Sequence, residues 1–93
     1  IKANEALQLG LANHVVETLE DALAKSVEIL IKIMAKAPIA IGLVIDCVNA
    51  VNNEQENGYQ TEANGFAACT KTSDFSEGTT AFLEKRKAIF TGE

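Results

Sequence analysis

The sequence predicts a mainly α-helical fold, and three observations carry that expectation. Apolar residues recur at three- and four-residue spacing along the longer segments. Breakers are few across 93 residues, with one Pro and six Gly. Candidate caps also stand where the spacing changes: Gly10 after the first segment, Thr18 before the second and Pro38 before the third.

Taken in order, Ala3 to Leu9 reads as a short helix with Ala6, Leu7 and Leu9 apolar, and Gly10 takes the position favoured by a left-handed C-terminal glycine. Leu11, Val15 and Val16 make an extended connector or a brief strand. Thr18-Leu19-Glu20-Asp21 has the form of a capping box, in which the Thr18 hydroxyl accepts from the third amide and Asp21 reaches back. A helix then runs to near Lys36, with Leu19, Leu23, Val27, Leu30 and Met34 along one stripe. On its other face, Asp21–Lys25 and Glu28–Lys32 are acid-before-base pairs four residues apart, each worth about 0.2–0.5 kcal/mol.

Pro38 suits a first helical position, where its missing N–H would have no partner. Ile39 to Val51 holds few polar groups and is rich in β-branched residues, so a strand competes. Thirteen residues is long for a strand, and a helix buried nearly all round is the expectation. A chain this short has little interior for such a helix, so a subunit or domain interface would have to cover it. Asn52 to Asn57 is a polar loop or the frayed start of the next helix. Glu56 to Thr70 reads as a helix with Tyr59, Ala63, Phe66, Ala67 and Thr70 on one side. After a break at Lys71-Thr72-Ser73, Ser73 or Ser76 caps a last helix from Asp74 to about Lys87. Phe75, Thr79, Phe82 and Arg86 share one of its faces. Its acids Asp74 and Glu77 and its bases Lys85, Arg86 and Lys87 suit the two ends of the helix dipole.

Composition narrows the function classes. Lys and Arg total 8 against 13 Asp and Glu, a net charge of −5, which is the wrong sign for tracking phosphates along a nucleic acid. Aromatics are 5% and Trp is absent, too few for a base-stacking platform. The most apolar stretch, Ile29 to Ile45, is interrupted by Lys32, Lys36 and Pro38, so no membrane span is expected. Cys47 and Cys69 form no metal-type spacing. Free thiols in a reducing, cytoplasmic setting are expected, with a disulfide as the alternative. The chain opens at Ile1 on residues that already read as mid-domain structure, so a piece of a longer protein is expected.

No complete active site is legible. His14 is the only His and stands in a connector, without the Cys or acidic cluster a metal needs. No Ser/His/Asp or Cys/His arrangement and no glycine-rich phosphate loop occurs. Glu54, Glu56 and Glu62 read as a solvated face rather than an acid/base pair. The basic run Lys85-Arg86-Lys87 stands out because Phe82 lies three residues before Lys85, which on a helix puts ring and ammonium on one face. That pairing suits a nucleotide-like ligand, the ring against a base and the ammonium against a phosphate. The plainer alternative is a core Phe beside dipole-stabilising charge.

Residues Asp74 to Phe90 resemble the C-terminal signature of the crotonase (enoyl-CoA hydratase/isomerase) family, D-x-x-E-G-x-x-A-F-x-E-K-R-x-x-x-F, and meet every fixed position of it. Glu5-Ala6-Leu7, Leu9-Gly10-Leu11-Ala12-Asn13 and Val15-Val16 resemble a second family passage, and Ala37-Pro38-Ile39-Ala40 a third. Gly42, Ile45, Asn64 and Gly65 depart from the family's usual residues or from helix propensity. The resemblance implies that residues 1–93 are the C-terminal helical, trimerisation domain of the crotonase fold, with about five helices. The parent would be an enoyl-CoA hydratase or 3-hydroxybutyryl-CoA dehydratase-like enzyme of fatty acid metabolism. The resemblance implies that its substrate would be a CoA thioester, that it would need no resident cofactor or metal, and that it would assemble as a homotrimer or dimer of trimers. The resemblance further implies that Phe66, Phe82 and Lys85 line the acyl or CoA site, with Phe82 and Lys85 near the adenine nucleotide. The two catalytic glutamates and the oxyanion hole would lie upstream of Ile1, leaving this segment inactive alone. The alternatives are an enoyl-CoA isomerase or other crotonase-type enzyme, and a stand-alone helical interaction module.

Overall fold

The computed structural model describes residues 1–93 as five helices joined by loops, with no strand. Contacts divide them into two compact units, Ile1–Lys32 and Ile33–Glu93.

In the first unit, α1 spans Ala3–Gln8. The Gly10 amide donates to the Leu7 carbonyl (3.1 Å) and the Leu11 amide to the Ala6 carbonyl (2.8 Å), with Gly10 at φ +72°. This is a Schellman cap, and Gly10 fills its left-handed position as the sequence implies. Residues 11–18 pair with no strand and form a connector. Helix α2 spans Leu19–Met34. Thr18 Oγ1 accepts from the Asp21 amide (3.1 Å) and donates to Asp21 Oδ2 (2.7 Å). The expected Asp21–Lys25 pair does not form, because Asp21 is engaged by Thr18 and Lys25 turns toward the C-terminus instead. Glu28 takes both Lys25 (2.8 Å) and Lys32 (2.6 Å), which hold its carboxyl down at about 2. The apolar stripe of α2, from Leu19 to Met34, is exposed along its length.

In the second unit, α3 spans Pro38–Ala50 with Pro38 opening the helix. The all-round burial expected for α3 is not found within this chain: only Ala50 is buried, while Val44, Ile45 and Val48 are exposed. Asn53 Oδ1 then accepts from the Gln55 amide and Asn53 Nδ2 donates to Glu56, fixing a polar turn. Helix α4 therefore starts at Gly58 rather than Glu56 and runs to Cys69, with Asn57 Oδ1 accepting from the Gln60 amide (3.2 Å). Helices α3 and α4 pack together. At their contact is Gly65, where an added Cβ would lie 3.7 Å from Cys47 Sγ and 3.8 Å from Leu43. These are ordinary van der Waals distances, so the packing would admit a methyl group and does not explain a mid-helix glycine that propensity disfavours.

Helix α5 spans Ser73–Leu83. Its cap is Thr72, not Ser73 or Ser76. Thr72 Oγ1 donates to the Cys69 carbonyl (2.8 Å) and accepts from the Phe75 amide (3.1 Å), linking the end of α4 to the start of α5. The expected run of this helix to Lys87 is also corrected. After Glu84 the Lys85 amide donates to the Phe82 carbonyl (3.3 Å) and the Arg86 amide to the Ala81 carbonyl (3.0 Å). That is again a Schellman cap, and it terminates the helix. Arg86 is consequently not on a helix face with Phe75, Thr79 and Phe82.

Within each unit the chain covers little of its apolar surface. Its only buried apolar residues are Ala50 and Ala81.

Candidate functional site

The three residues singled out in the sequence fall in two places within the second unit. Phe66, 67% exposed, stands on α4 and lines an open groove of about 460 Å³ between α3 and α4, with Leu43, Val44, Cys47, Tyr59 and Cys69. The walls are almost wholly apolar, and both cysteines face it as free thiols. Phe82 and Lys85 are not among the residues lining this groove. Phe82, 82% exposed, is in the last turn of α5.

Lys85 is exposed and lies outside the helix at φ +54°. The expectation that Phe82 and Lys85 share a helix face therefore fails in its geometry. The Schellman turn, not helical spacing, relates them: the Lys85 amide bonds to the Phe82 carbonyl. Lys85 is the only non-glycine residue of the chain at positive φ. For an L-residue that conformation costs roughly 1–2 kcal/mol. Lys85 also takes part in none of the chain's ion pairs, which leaves its ammonium uncompensated.

What holds this turn is a strap, residues 84–93, folded back along α5. Glu77 receives Arg86 in a bidentate pair (2.7 and 2.9 Å) and the Ile89 amide at 2.8 Å. Arg86 and the Ile89 amide together hold the Glu77 carboxyl down at about 2, from an ordinary value of 4.5, so it is ionised at neutral pH. The same carboxylates push the Arg86 guanidinium further up, with Glu77 the larger influence and Glu84 the smaller. Arg86 Nε donates to Glu84 at 2.6 Å, so one guanidinium grips both chain neighbours of Lys85, Glu84 by its side chain and Arg86 by itself. Farther along, Asp74 is 2% exposed and accepts from the Thr91 amide (2.7 Å) and the Gly92 amide (2.9 Å). The Asp74 amide in turn donates to the Glu93 carbonyl (3.0 Å), satisfying a helix-start N–H that has no partner within α5. Between these anchors the Phe90 ring packs over Gly78, where an added Cβ would meet Cε1 at 3.3 Å.

Asp74, Glu77 and Arg86 were read from the sequence as charges suited to a helix dipole and as positions of the signature, but not as candidate site residues. The signal that distinguishes them is their place at fixed positions of the signature, each of which has a partner in the strap. His14 is exposed beside Val16, Ala22 and Lys25, and no group of three His, Cys, Asp or Glu side chains is arranged to hold a metal. No helix is long and apolar enough to cross a membrane.

Comparison with known proteins places these features. The family model described as enoyl-CoA hydratase/isomerase matches residues 1–93. The chain is 38% identical over 91 residues to a crotonyl-CoA hydratase of Syntrophomonas wolfei, covering 97% of this chain and 35% of that protein. It is 39% identical over 88 residues to a short-chain-enoyl-CoA hydratase of Clostridium acetobutylicum, covering 94% and 33%. In structure it superposes on an enoyl-CoA hydratase of Bacillus anthracis with a TM-score of 0.87 at 34% identity, covering 98% of this chain and 35% of that one. The chain thus spans about a third of the length of the relatives it matches, and its five helices correspond to the C-terminal helical part of the crotonase fold. From the strap motif at its end to the full-length match of the family model, the chain belongs to the enoyl-CoA hydratase/isomerase family.

Proposed function

We propose that this chain is the assembly and CoA-binding segment of an enzyme that reversibly hydrates a short-chain 2-enoyl-CoA to the 3-hydroxyacyl-CoA. The observation that carries the reading is end-to-end similarity to about a third of several hydratases, two of them named for short-chain or crotonyl substrates. In that reading the two glutamates that add and remove water, and the backbone amides that stabilise the thioester enolate, belong to residues upstream of Ile1. This segment then carries no chemistry of its own.

Two features support a binding and assembly role. The exposed stripe of α2 and the open faces of α3 and α4 leave more apolar surface bare than a free domain of this size keeps, which suits burial against the rest of the enzyme and against further subunits. Lys85, exposed and in none of the ion pairs, stands on a turn where its amide bonds to the carbonyl of exposed Phe82. A cation beside an aromatic ring suits the phosphates and adenine of a CoA thioester. Phe66, in its apolar groove, suits the acyl end or the packing around it.

Lys85→Ala in the full-length enzyme tests this. The KM for the CoA ester should rise about tenfold, the scale of one lost charge-assisted bond, with kcat little changed. An unchanged KM refutes the role of Lys85. A second reading within the family has one observation in its favour: the chain is 33% identical over 97 residues to a methylmalonyl-CoA decarboxylase of Escherichia coli. The sequence preceding Ile1 decides between them, because hydration requires both glutamates.

A further inference from the structure

We infer that Glu77 is a positioning residue for Lys85, acting through Arg86. The inference rests on the reading of Lys85 as a CoA-binding cation and adds to it the means by which that cation is aimed.

Three observations converge on Glu77. Its carboxylate takes both guanidinium nitrogens of Arg86 and the Ile89 amide, so it closes the strap on both sides of residues 87 and 88. Arg86 spends its remaining Nε on Glu84. The two residues flanking Lys85 are therefore fixed to one point on α5, six residues before the helix ends. Between them Lys85 keeps φ +54°, a conformation that a free helix end would avoid for lysine. Strain of this kind persists where surrounding structure over-determines the backbone, and an uncompensated ammonium on the strained residue gives that strain a use. A bidentate Arg–carboxylate pair sets direction as well as energy, which suits it to hold a turn rather than simply to neutralise charge.

A lysine on a loose chain end would pay its own ordering on meeting a polyanion. A lysine on a turn clasped by Glu77 is ordered beforehand, and affinity gains by that difference. The effect belongs to the nucleotide end of the substrate and not to the acyl end where bonds change.

The experiment compares Glu77→Gln, Lys85→Ala and the double variant in the full-length enzyme. Each is assayed with a crotonyl-CoA ester and with the crotonyl ester of pantetheine, which lacks the nucleotide. Glu77→Gln is expected to raise KM for the CoA ester about tenfold, to leave kcat and the pantetheine ester unchanged, and to add nothing in the Lys85→Ala background. An equal effect on both esters, a full effect in the Lys85→Ala background, or no effect on either ester overturns the inference. If Lys85→Ala fails to separate the two esters, the CoA-binding reading of Lys85 falls first and positioning falls with it. If Lys85→Ala separates them and Glu77→Gln does not, only the positioning role falls. Arg86→Lys covers the case in which Glu77→Gln does not fold. It keeps the charge and loses the planar fork, and the same ester-selective rise in KM is expected from it.

Discussion

Helices α1 and α5 end in the same hydrogen-bond pattern, but the residue at its left-handed position is Gly10 in one and Lys85 in the other. At α1 the glycine adopts φ +72° at no steric cost, and nothing lies within 4 Å of where its side chain would be. That turn is held by its backbone bonds alone. At α5 a lysine adopts φ +54°, and the turn is held by side chains as well: Glu77 on Arg86 and Ile89, Asp74 on Thr91 and Gly92. The difference teaches that the strap does at α5 what the absence of a Cβ does at α1. A chain can place a lysine where glycine is cheapest, provided that something else fixes the turn.

The most severe way to break this comparison is to release the strap. Asp74 is buried and gives charged acceptors to two backbone amides. Asp74→Ala leaves both donors without a partner and is expected to destabilise the enzyme by roughly 2–4 kcal/mol. Urea unfolding measures it, with Asp74→Asn, which keeps one acceptor oxygen, falling between the two. A loss below about 0.5 kcal/mol, the level of an ordinary surface change, would mean that the strap is not what holds the turn.

Much of this contrast was legible in the sequence, and the part that was not has a physical cause. Gly10, Thr18 and Pro38 were read correctly because capping is local: each acts on amides or dihedrals within a few residues. The family was legible for a similar reason, since a 17-residue signature is contiguous. The end of α5 was misread. Phe75, Phe82 and the basic run continue a helical pattern through Lys87, and a non-glycine residue gives no sign of a left-handed turn. The turn shows in the Lys85 φ and in the Schellman bonds, and the Glu77–Arg86 pair that helps to hold it spans nine residues, beyond the reach of a local pattern. The burial of α3 was misread for a different reason. Its apolar residues outnumber what this chain's own packing covers, so Val44, Ile45 and Val48 read as core and stand exposed. Of the candidate site residues, Phe82 and Lys85 stood out by type, their expected helical relation gave way to a turn, and the carboxylates Asp74 and Glu77 that hold the strap were hidden among ordinary helix charges.

A milder change sharpens the other side of the comparison. Gly10→Ala introduces a methyl group that meets nothing, so its effect is the backbone cost alone. It is expected to destabilise by about 1 kcal/mol, measured as a shift in the urea midpoint with an unchanged slope. No measurable shift would show that the end of α1 frays without consequence, and that Gly10 is not the element holding it.

The smallest expected effect discriminates best, because stability and binding should move in opposite directions. Lys85→Gly places at α5 the residue that α1 already uses. Relief of the left-handed strain favours the folded state, while the freer unfolded chain of a glycine opposes it, leaving a net gain of about 0.5 kcal/mol. The strap bonds of Glu77 and Asp74 do not involve the Lys85 side chain, so they should survive the change. The variant should therefore unfold at slightly higher urea yet bind the CoA ester more weakly, with KM raised as in Lys85→Ala. A purely structural lysine predicts the reverse pattern: a loss of stability, and an affinity that falls only as far as folding does. A stabilised enzyme with weakened ester binding would show that lysine stands at φ +54° for its ammonium, at the expense of the helix end that carries it.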